Sequence, residues 1–186
     1  IFITTKIRNG NQGYDSTLKS FDKTLEDLQT DFVDLLLIHW PDIKNFSRTV
    51  ETWRALIDLH EKGSCRSIGV SNFTIELTEK LVAQIDVVPQ VNQVEFHTFL
   101  YQKDLLEYCR EQDILIEAYS PIAKAKFLDN KLLQTLANKY HKTSTQIMLA
   151  WGLNHDLVVI PKSENQSRIL ENADIFFEIS DQDMKK

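Results

Sequence analysis

The stretch Val33–Trp40, VDLLLIHW, decides the fold, because it is a short apolar run that ends on polar and aromatic residues. It is far shorter than the ~20 residues that cross a membrane, and its branched side chains are typical of a strand buried on both faces. Five further runs share this character: Ile1–Thr5, Arg66–Val70, Val91–Phe96, Ile114–Tyr119 and Leu157–Ile160. The sequence therefore predicts six buried strands.

The segments between these runs carry apolar residues at helical spacing. They include Leu18, Phe21, Leu25 and Leu28, then Val50, Trp53, Leu56 and Ile57, then Leu132, Leu133, Leu136 and Tyr140. Alternating strands and helices predict the α/β class with parallel strands and right-handed crossovers. The chain has only five glycines and no G-x-G-x-x-G turn, so a (β/α)8 TIM barrel is favoured over a doubly wound sheet.

A closed barrel of this type has eight strands, whereas the sequence predicts six. Residue 1 already lies inside an apolar run, and Ile179–Asp183 has the features of a helix start with little helix behind it. We therefore expect residues 1–186 to form a single barrel domain that is incomplete at both ends, with natural length as the alternative. The exposed strand edges of such a chain predict poor solubility.

Composition excludes several classes of function. The net charge of −6 and the lack of a Lys/Arg cluster argue against nucleic-acid binding, and no run is long enough for membrane insertion. Cys65 and Cys109 have no metal-ligand spacing, and no signal peptide precedes them, so we expect reduced thiols in the cytoplasm and no bound metal.

Polar residues follow each predicted strand, where barrel enzymes collect their chemistry. They are Lys6, His39–Pro41, Ser71–Asn72, Asn92–Gln93, Tyr119–Pro121 and Lys162–Ser163. Each has an ordinary alternative: Lys6 as a surface lysine, His39 as a hydrogen-bonded core residue, Ser71 as a helix cap, Tyr119 as a core aromatic. The basic residues after the last strand predict an anion site at a helix start, with a solvated charged face as the alternative.

Taken together, these strings resemble the aldo-keto reductase family, and within it the bacterial diketogluconate reductase type. The matching segments, in family order, are Phe2–Lys6, Asp34–Pro41, Gly69–Phe73, Val91–His97, Ala118–Pro121 and Ile160–Ser163. The resemblance runs from end to end. It implies that the six strands are the third to the eighth of the barrel.

The family reduces aldehydes or ketones with NADPH: nicotinamide delivers a hydride to the carbonyl carbon and a tyrosine donates a proton to the oxygen. The resemblance implies that Lys6 lowers the pKa of that tyrosine, that His39 orients the substrate oxygen and that Trp40 lines the substrate pocket. The tyrosine and its partner aspartate are expected upstream of Ile1. Tyr14 lies after the wrong strand to replace the tyrosine.

The same resemblance assigns most of the cofactor site. Ser71, Asn72 and Gln93 match the positions that hold the nicotinamide carboxamide, and Tyr119, followed by Ser120 and Pro121, matches the aromatic that stacks on its ring. Residues after the last strand match the positions that bind the adenosine end of the cofactor. Lys162, Ser163 and Arg168 match those that bind the 2′-phosphate, and Glu171 and Asn172 match those that contact adenine. The 2′-phosphate of NADPH accepts charge-assisted hydrogen bonds from basic side chains, and NADH cannot make these bonds because it lacks the phosphate.

Three departures from the family pattern affect details. Glu164 places an acid beside the phosphate grip, and we expect its carboxylate to turn outward. Ala125 stands where the family usually has glycine, and Thr98 replaces a usual proline. The expected partner is a small carbonyl substrate for a monomeric protein. Two alternatives stay open: an NADP-binding fragment without turnover, and a barrel lyase that uses Lys6 as a Schiff base.

Overall fold

The computed structural model describes all residues from 1 to 186, and strands alternate with helices along the chain. The strands are β1 (Thr4–Ile7), β2 (Val33–Ile38), β3 (Cys65–Ser71), β4 (Val91–Glu95), β5 (Leu115–Tyr119) and β6 (Val158–Val159). The helices are α1 (Tyr14–Leu28), α2 (Phe46–Glu61), α3 (Ile75–Val82), α4 (Lys103–Glu111), α5 (Lys131–Tyr140), α6 (Ser144–Leu153), α7 (Gln166–Ala173) and α8 (Asp181–Met184). The α/β class and all six predicted strands are confirmed.

The strands form a parallel sheet whose order follows the chain from β1 to β6. The chain divides into two compact units. Unit 1 comprises residues 1–93 and 104–115, and unit 2 comprises residues 94–103 and 116–186. The residues proposed for chemistry therefore belong to two units, which are described separately below.

Unit 1 buries apolar side chains on both faces of its sheet. On one face Leu35, Leu37 and Val91 form a small apolar cluster. On the other face, strand residues such as Leu36 and Ile38 join a larger core with Phe21, Val50, Trp53 and Leu56 of the covering helices. Two buried faces explain why β2 is a continuous apolar run rather than an alternating one.

The first strand was placed wrongly by the sequence pattern, which predicted Ile1–Thr5 instead of Thr4–Ile7. The N–H of Ile3 donates to the Asp34 carboxylate at 2.8 Å, just before β1 begins. This N–H therefore bonds a side chain instead of the backbone of the neighbouring strand. The register then pairs β1 with β2 as far as Ile7, opposite Ile38. The partner strand, not the apolar run, sets these limits.

Helix α6 was not predicted, because it has no polar face. Residues 146–152 are all buried, so the apolar residues do not form a stripe at helical spacing. Its start is nevertheless encoded locally: Thr143 and Gln146 form a capping box in which each side chain bonds the other's backbone N–H.

Candidate active site

In unit 1, a row of polar residues lies at the carboxyl ends of β2, β3 and β4, on the sheet face that carries the apolar side chains of Leu37 and Val91. The register places Leu37 beside Gly69 and Gly69 beside Val91. Because side chains alternate between faces along a strand, the residues two positions further on lie on the same face as this layer. These residues are His39, Ser71 and Gln93.

Ser71 and Asn72 tie the ends of three strands together. The Ser71 hydroxyl donates to the Gln93 carbonyl at 2.7 Å, and the backbone N–H of Asn72 donates to the same oxygen at 3.0 Å. The Asn72 side-chain amide donates to the His39 carbonyl at 3.0 Å and to the Ser71 hydroxyl at 3.1 Å. The structure thus brings together four of the predicted site residues.

The backbone of Asn72 has a φ of 63°, in the left-handed region that asparagine tolerates better than most residues. This turn lets its N–H and its side chain bond two different strands. The alternative interpretation of Ser71 as a helix cap is wrong, because Thr74 caps α3 by accepting from the N–H of Leu77.

Lys6 lies inside β1, in register with Leu37, and not after the strand as predicted. His39 follows β2, and its N–H donates to the Ile7 carbonyl at 3.1 Å. Partial burial of the ring lowers the pKa of His39, and the positive charges of Lys6 and Arg8 lower it further. At neutral pH the imidazole is therefore uncharged and carries one N–H that can donate to a carbonyl oxygen.

Trp40 is 46% exposed, and its backbone is held by a residue that the sequence analysis missed. Gln12 is buried, and its side-chain amide donates to the Trp40 carbonyl at 2.6 Å. Its oxygen accepts from Thr49 at 3.0 Å, and Thr49 in turn accepts from the N–H of Asp42. A glutamine in an irregular segment carries no sequence signal for this role.

Tyr14, which was considered as a substitute proton donor, is committed elsewhere. Its hydroxyl donates to the carboxylate of Asp58 on α2. This hydrogen bond raises the pKa of Tyr14, with burial and nearby acidic charges adding to the effect. A raised pKa makes the phenol a weaker acid, which is the opposite of what a proton donor near neutral pH requires.

In unit 2, Tyr119 ends β5, and a strained turn follows it. Burial, with a contribution from the charge of Glu95, raises the pKa of Tyr119, so the phenol is neutral. Ser120 has a φ of 49°, and its carbonyl accepts from the N–H of Ala123 at 2.8 Å, while Pro121 is buried.

Three successive residues of the next turn, Ala123, Lys124 and Ala125, have φ values of 50°, 54° and 63°. Residues with a Cβ avoid this region at a cost of roughly 1–2 kcal/mol each. The turn therefore favours glycine, so Ala125 adopts this conformation at a cost that glycine would avoid.

The basic residues after β6 surround a cavity of about 420 Å³ in unit 2. Its lining is Lys162, Ser163, Glu164, Asn165 and Arg168. Asn165 caps α7 by accepting from the N–H of Arg168 at 3.2 Å. The structure thus brings the three predicted phosphate-binding residues to one cavity at a helix N-terminus, where an anion is favoured.

The Glu164 side chain is 85% exposed, and its carboxylate contacts the Lys162 ammonium. Glu171 also has a structural contact, since it accepts from the hydroxyl of Thr143 at 2.6 Å. Asn172 lies beside it in α7, half-buried.

A larger cavity of about 690 Å³ in unit 2 is lined mainly by apolar and aromatic side chains, including Tyr101, Leu136 and Trp151. None of the predicted site residues lines it. Size alone therefore does not mark the candidate site, which is defined by its polar groups.

The chain matches the model of the Aldo/keto reductase family over residues 1–186, and it belongs to that family. It is 49% identical to the glyoxal reductase of Bacillus subtilis (strain 168), covering 100% of this chain and 67% of that protein. A second relative from the same organism, an uncharacterized oxidoreductase, is 43% identical and is covered to 66%. The chain thus spans about two thirds of the length of these relatives.

Solved structures agree with this assignment. An aldo/keto reductase from Brucella melitensis matches with a TM-score of 0.95 and 45% identity, covering 100% of this chain and 71% of that one. A mutant of Gox0644 in complex with NADPH matches with a TM-score of 0.95 and 40% identity, with coverage of 100% and 68%. The predicted family is confirmed. None of the helices is long and apolar enough to cross a membrane.

Proposed function

We propose that this chain is part of an enzyme that reduces aldehydes or ketones to alcohols with NADPH. Family membership supports an oxidoreductase, and the Gox0644 mutant is a relative in complex with NADPH. The observation that carries the proposal is the arrangement of Ser71, Asn72 and Gln93, which meet at the strand ends of unit 1. Hydroxyl and amide groups at this place suit a carboxamide ligand, which both donates and accepts.

Bound NADPH would supply the hydride, and the protein would bind and orient the carbonyl. The neutral imidazole of His39 donates a hydrogen bond to the carbonyl oxygen, which polarises the bond toward attack at carbon. Lys6 contributes a positive charge on the same side of the sheet, and such a charge lowers the pKa of a neighbouring phenol. Trp40, exposed and held by Gln12, offers an apolar wall to the substrate.

The proton donor is proposed to be a tyrosine outside residues 1–186, in the third of the relatives' length that this chain does not span. We assign β1–β6 to the third to eighth strands of a (β/α)8 barrel and treat the chain as part of that single domain. The match to barrel-family structures with two-thirds coverage supports this numbering.

In unit 2, the ring of Tyr119 offers a stacking surface for nicotinamide, beside Ser120 and Pro121. Lys162, Ser163 and Arg168 would bind the 2′-phosphate, with the α7 N-terminus adding partial positive charge. Glu171 and Asn172 follow in the same helix as candidate adenine contacts. The Thr143 bond fixes the Glu171 side chain before any ligand arrives.

The test is a titration with NADPH followed by quenching of tryptophan fluorescence, with glyoxal then added to the same sample to detect oxidation. Glyoxal is the first choice because the 49% identical relative is a glyoxal reductase. Binding without oxidation is the expected result for these 186 residues. Binding with oxidation would refute the proposal that the proton donor lies outside them, and a folded chain that binds no NADPH would refute the cofactor site.

Two variants sharpen the test. Ser71→Ala removes one hydroxyl and should weaken NADPH binding about three- to tenfold, the usual value of one hydrogen bond. Ser67→Ala, in the same strand, is the matched control and should leave binding unchanged. Circular dichroism checks that both variants fold. Borohydride treatment with the carbonyl present should leave no adduct on Lys6, and an adduct would favour the Schiff-base lyase.

A further inference from the structure

The segment after β6 carries opposed charges within one cavity. Two cations, Lys162 and Arg168, and one anion, Glu164, line the space of about 420 Å³. The Lys162 ammonium contacts the Glu164 carboxylate, while no carboxylate lies within ion-pair distance of the Arg168 guanidinium. The cavity therefore has a net charge of +1 rather than +2.

We propose that Glu164 determines nucleotide specificity by competing with the 2′-phosphate of NADPH for Lys162, so that the protein discriminates only weakly between NADPH and NADH. This inference rests on the proposed cofactor site and adds a residue that opposes phosphate binding there.

The two nucleotides respond differently to this carboxylate. A 2′-phosphate carries between one and two negative charges at neutral pH, so it must displace Glu164 from Lys162 and is repelled by it. NADH has a neutral 2′-hydroxyl in the same place, which loses little when Lys162 is occupied. A carboxylate can also accept a hydrogen bond from a ribose hydroxyl, the device by which many dinucleotide-binding proteins select NADH. Both effects shift the nucleotide preference away from NADPH and toward NADH.

The size of the effect is set by exposure. The side chains of Lys162 and Glu164 are 77% and 85% exposed, so solvent screens their attraction and the pair is weak. A bound phosphate can break it. The phosphate must break the Lys162–Glu164 pair and is repelled by the Glu164 carboxylate. Together these two effects should lower NADPH affinity about three- to tenfold.

Glu164 has no evident role in folding. Asn165, not Glu164, caps α7, and the Glu164 side chain contacts Lys162. Glu164→Gln is nearly isosteric and removes the charge alone. The urea unfolding midpoint of this variant should therefore match that of the unaltered chain, since exposed substitutions of this kind change stability little.

The experiment compares the dissociation constants of NADPH and NADH for the unaltered chain, Glu164→Gln and a control, Glu178→Gln, which removes another exposed carboxylate of unit 2. We expect Glu164→Gln to tighten NADPH binding about three- to tenfold and to leave NADH binding unchanged or weaker, and we expect the NADPH gain to shrink as salt is added. The control should leave the ratio of the two constants unchanged.

Several outcomes would overturn the inference. They are an unchanged ratio in Glu164→Gln, an equal gain for both nucleotides, or an equal change of the ratio in Glu178→Gln. Adenosine 2′-monophosphate serves as a second probe, and its affinity should rise in Glu164→Gln while that of adenosine 5′-monophosphate stays constant. A folded, unaltered chain that binds neither dinucleotide would instead refute the proposed function, so the two failures are distinguishable.

Discussion

The close approach of strands in unit 1 depends on a single missing side chain, that of Gly69. A Cβ atom at this position would lie 2.4 Å from the Val91 carbonyl oxygen, 2.8 Å from a methyl group of Leu37 and 3.0 Å from the Val91 Cβ. The leucine methyl can move by rotation of its side chain, although Leu37 is fully buried. The carbonyl belongs to the backbone of β4 and cannot move without the strand.

Gly69→Ala should therefore destabilise the protein by forcing β3 and β4 apart. Overpacking of a dense core costs about 1–3 kcal/mol, and a backbone clash belongs at the upper end. Replacing glycine by alanine restricts the unfolded chain, which returns roughly 0.4–1 kcal/mol. The net expectation is a loss of about 2 kcal/mol in the free energy of unfolding.

Urea denaturation followed by circular dichroism measures this loss. Gly10→Ala is the matched control, because a Cβ there would meet no atom within 4 Å, and it should be neutral or slightly stabilising. The affinity for NADPH should fall in Gly69→Ala alone, since Ser71 and Gln93 meet two residues beyond the clash. If Gly69→Ala were as stable as Gly10→Ala, the packing argument would be wrong.

Three further predictions concern other parts of the chain. Ala125→Gly should stabilise the protein by about 0.5–1 kcal/mol in urea denaturation, because glycine relieves the left-handed φ but loosens the unfolded chain. Gln12→Met should cost about 1–3 kcal/mol by the same assay, since it leaves buried partners unpaired, and should increase acrylamide quenching of Trp40. The hydrogen bond from Lys139 holds the pKa of Asp183 well below its usual range. The ionised carboxylate therefore stabilises the folded chain fully above about pH 4, the ordinary pKa of an aspartate, and this contribution to the free energy of unfolding is lost as the pH falls further. The difference in urea midpoint between the unaltered chain and Asp183→Asn should therefore narrow at lower pH.

Much of the fold could be predicted because the strands of a covered parallel sheet are compact apolar runs. All six strands appear in the predicted order. The limits of β1 could not be predicted, since they depend on pairing with β2 and on the side chain of Asp34. Helix α6 escaped detection because burial on every side removes the amphipathic pattern.

In the candidate site, the positions of residues along the chain could be predicted, but the conformations and contacts of those residues could not. Strand-end position was enough to select Ser71 and Gln93, which the structure places in contact, while their roles stay predictions. The left-handed turn at Asn72 and the contact of Gln12 with Trp40 depend on backbone conformations that no residue pattern specifies. The contact of the Glu164 carboxylate with Lys162 was not predicted, because both side chains are exposed and no residue pattern specifies their direction.

The chain-ordered pairing of strands has a consequence for how the protein is made. Each strand of unit 1 pairs with the strand that precedes it, as in the pairs Thr4 with Leu35 and Leu35 with Ser67. No pairing among these strands has to wait for a distant part of the chain, and the entropy lost on closing such modest loops grows slowly with their length. The sheet can therefore grow strand by strand as the polypeptide leaves the ribosome, with each new strand and helix added to an edge that is already in place.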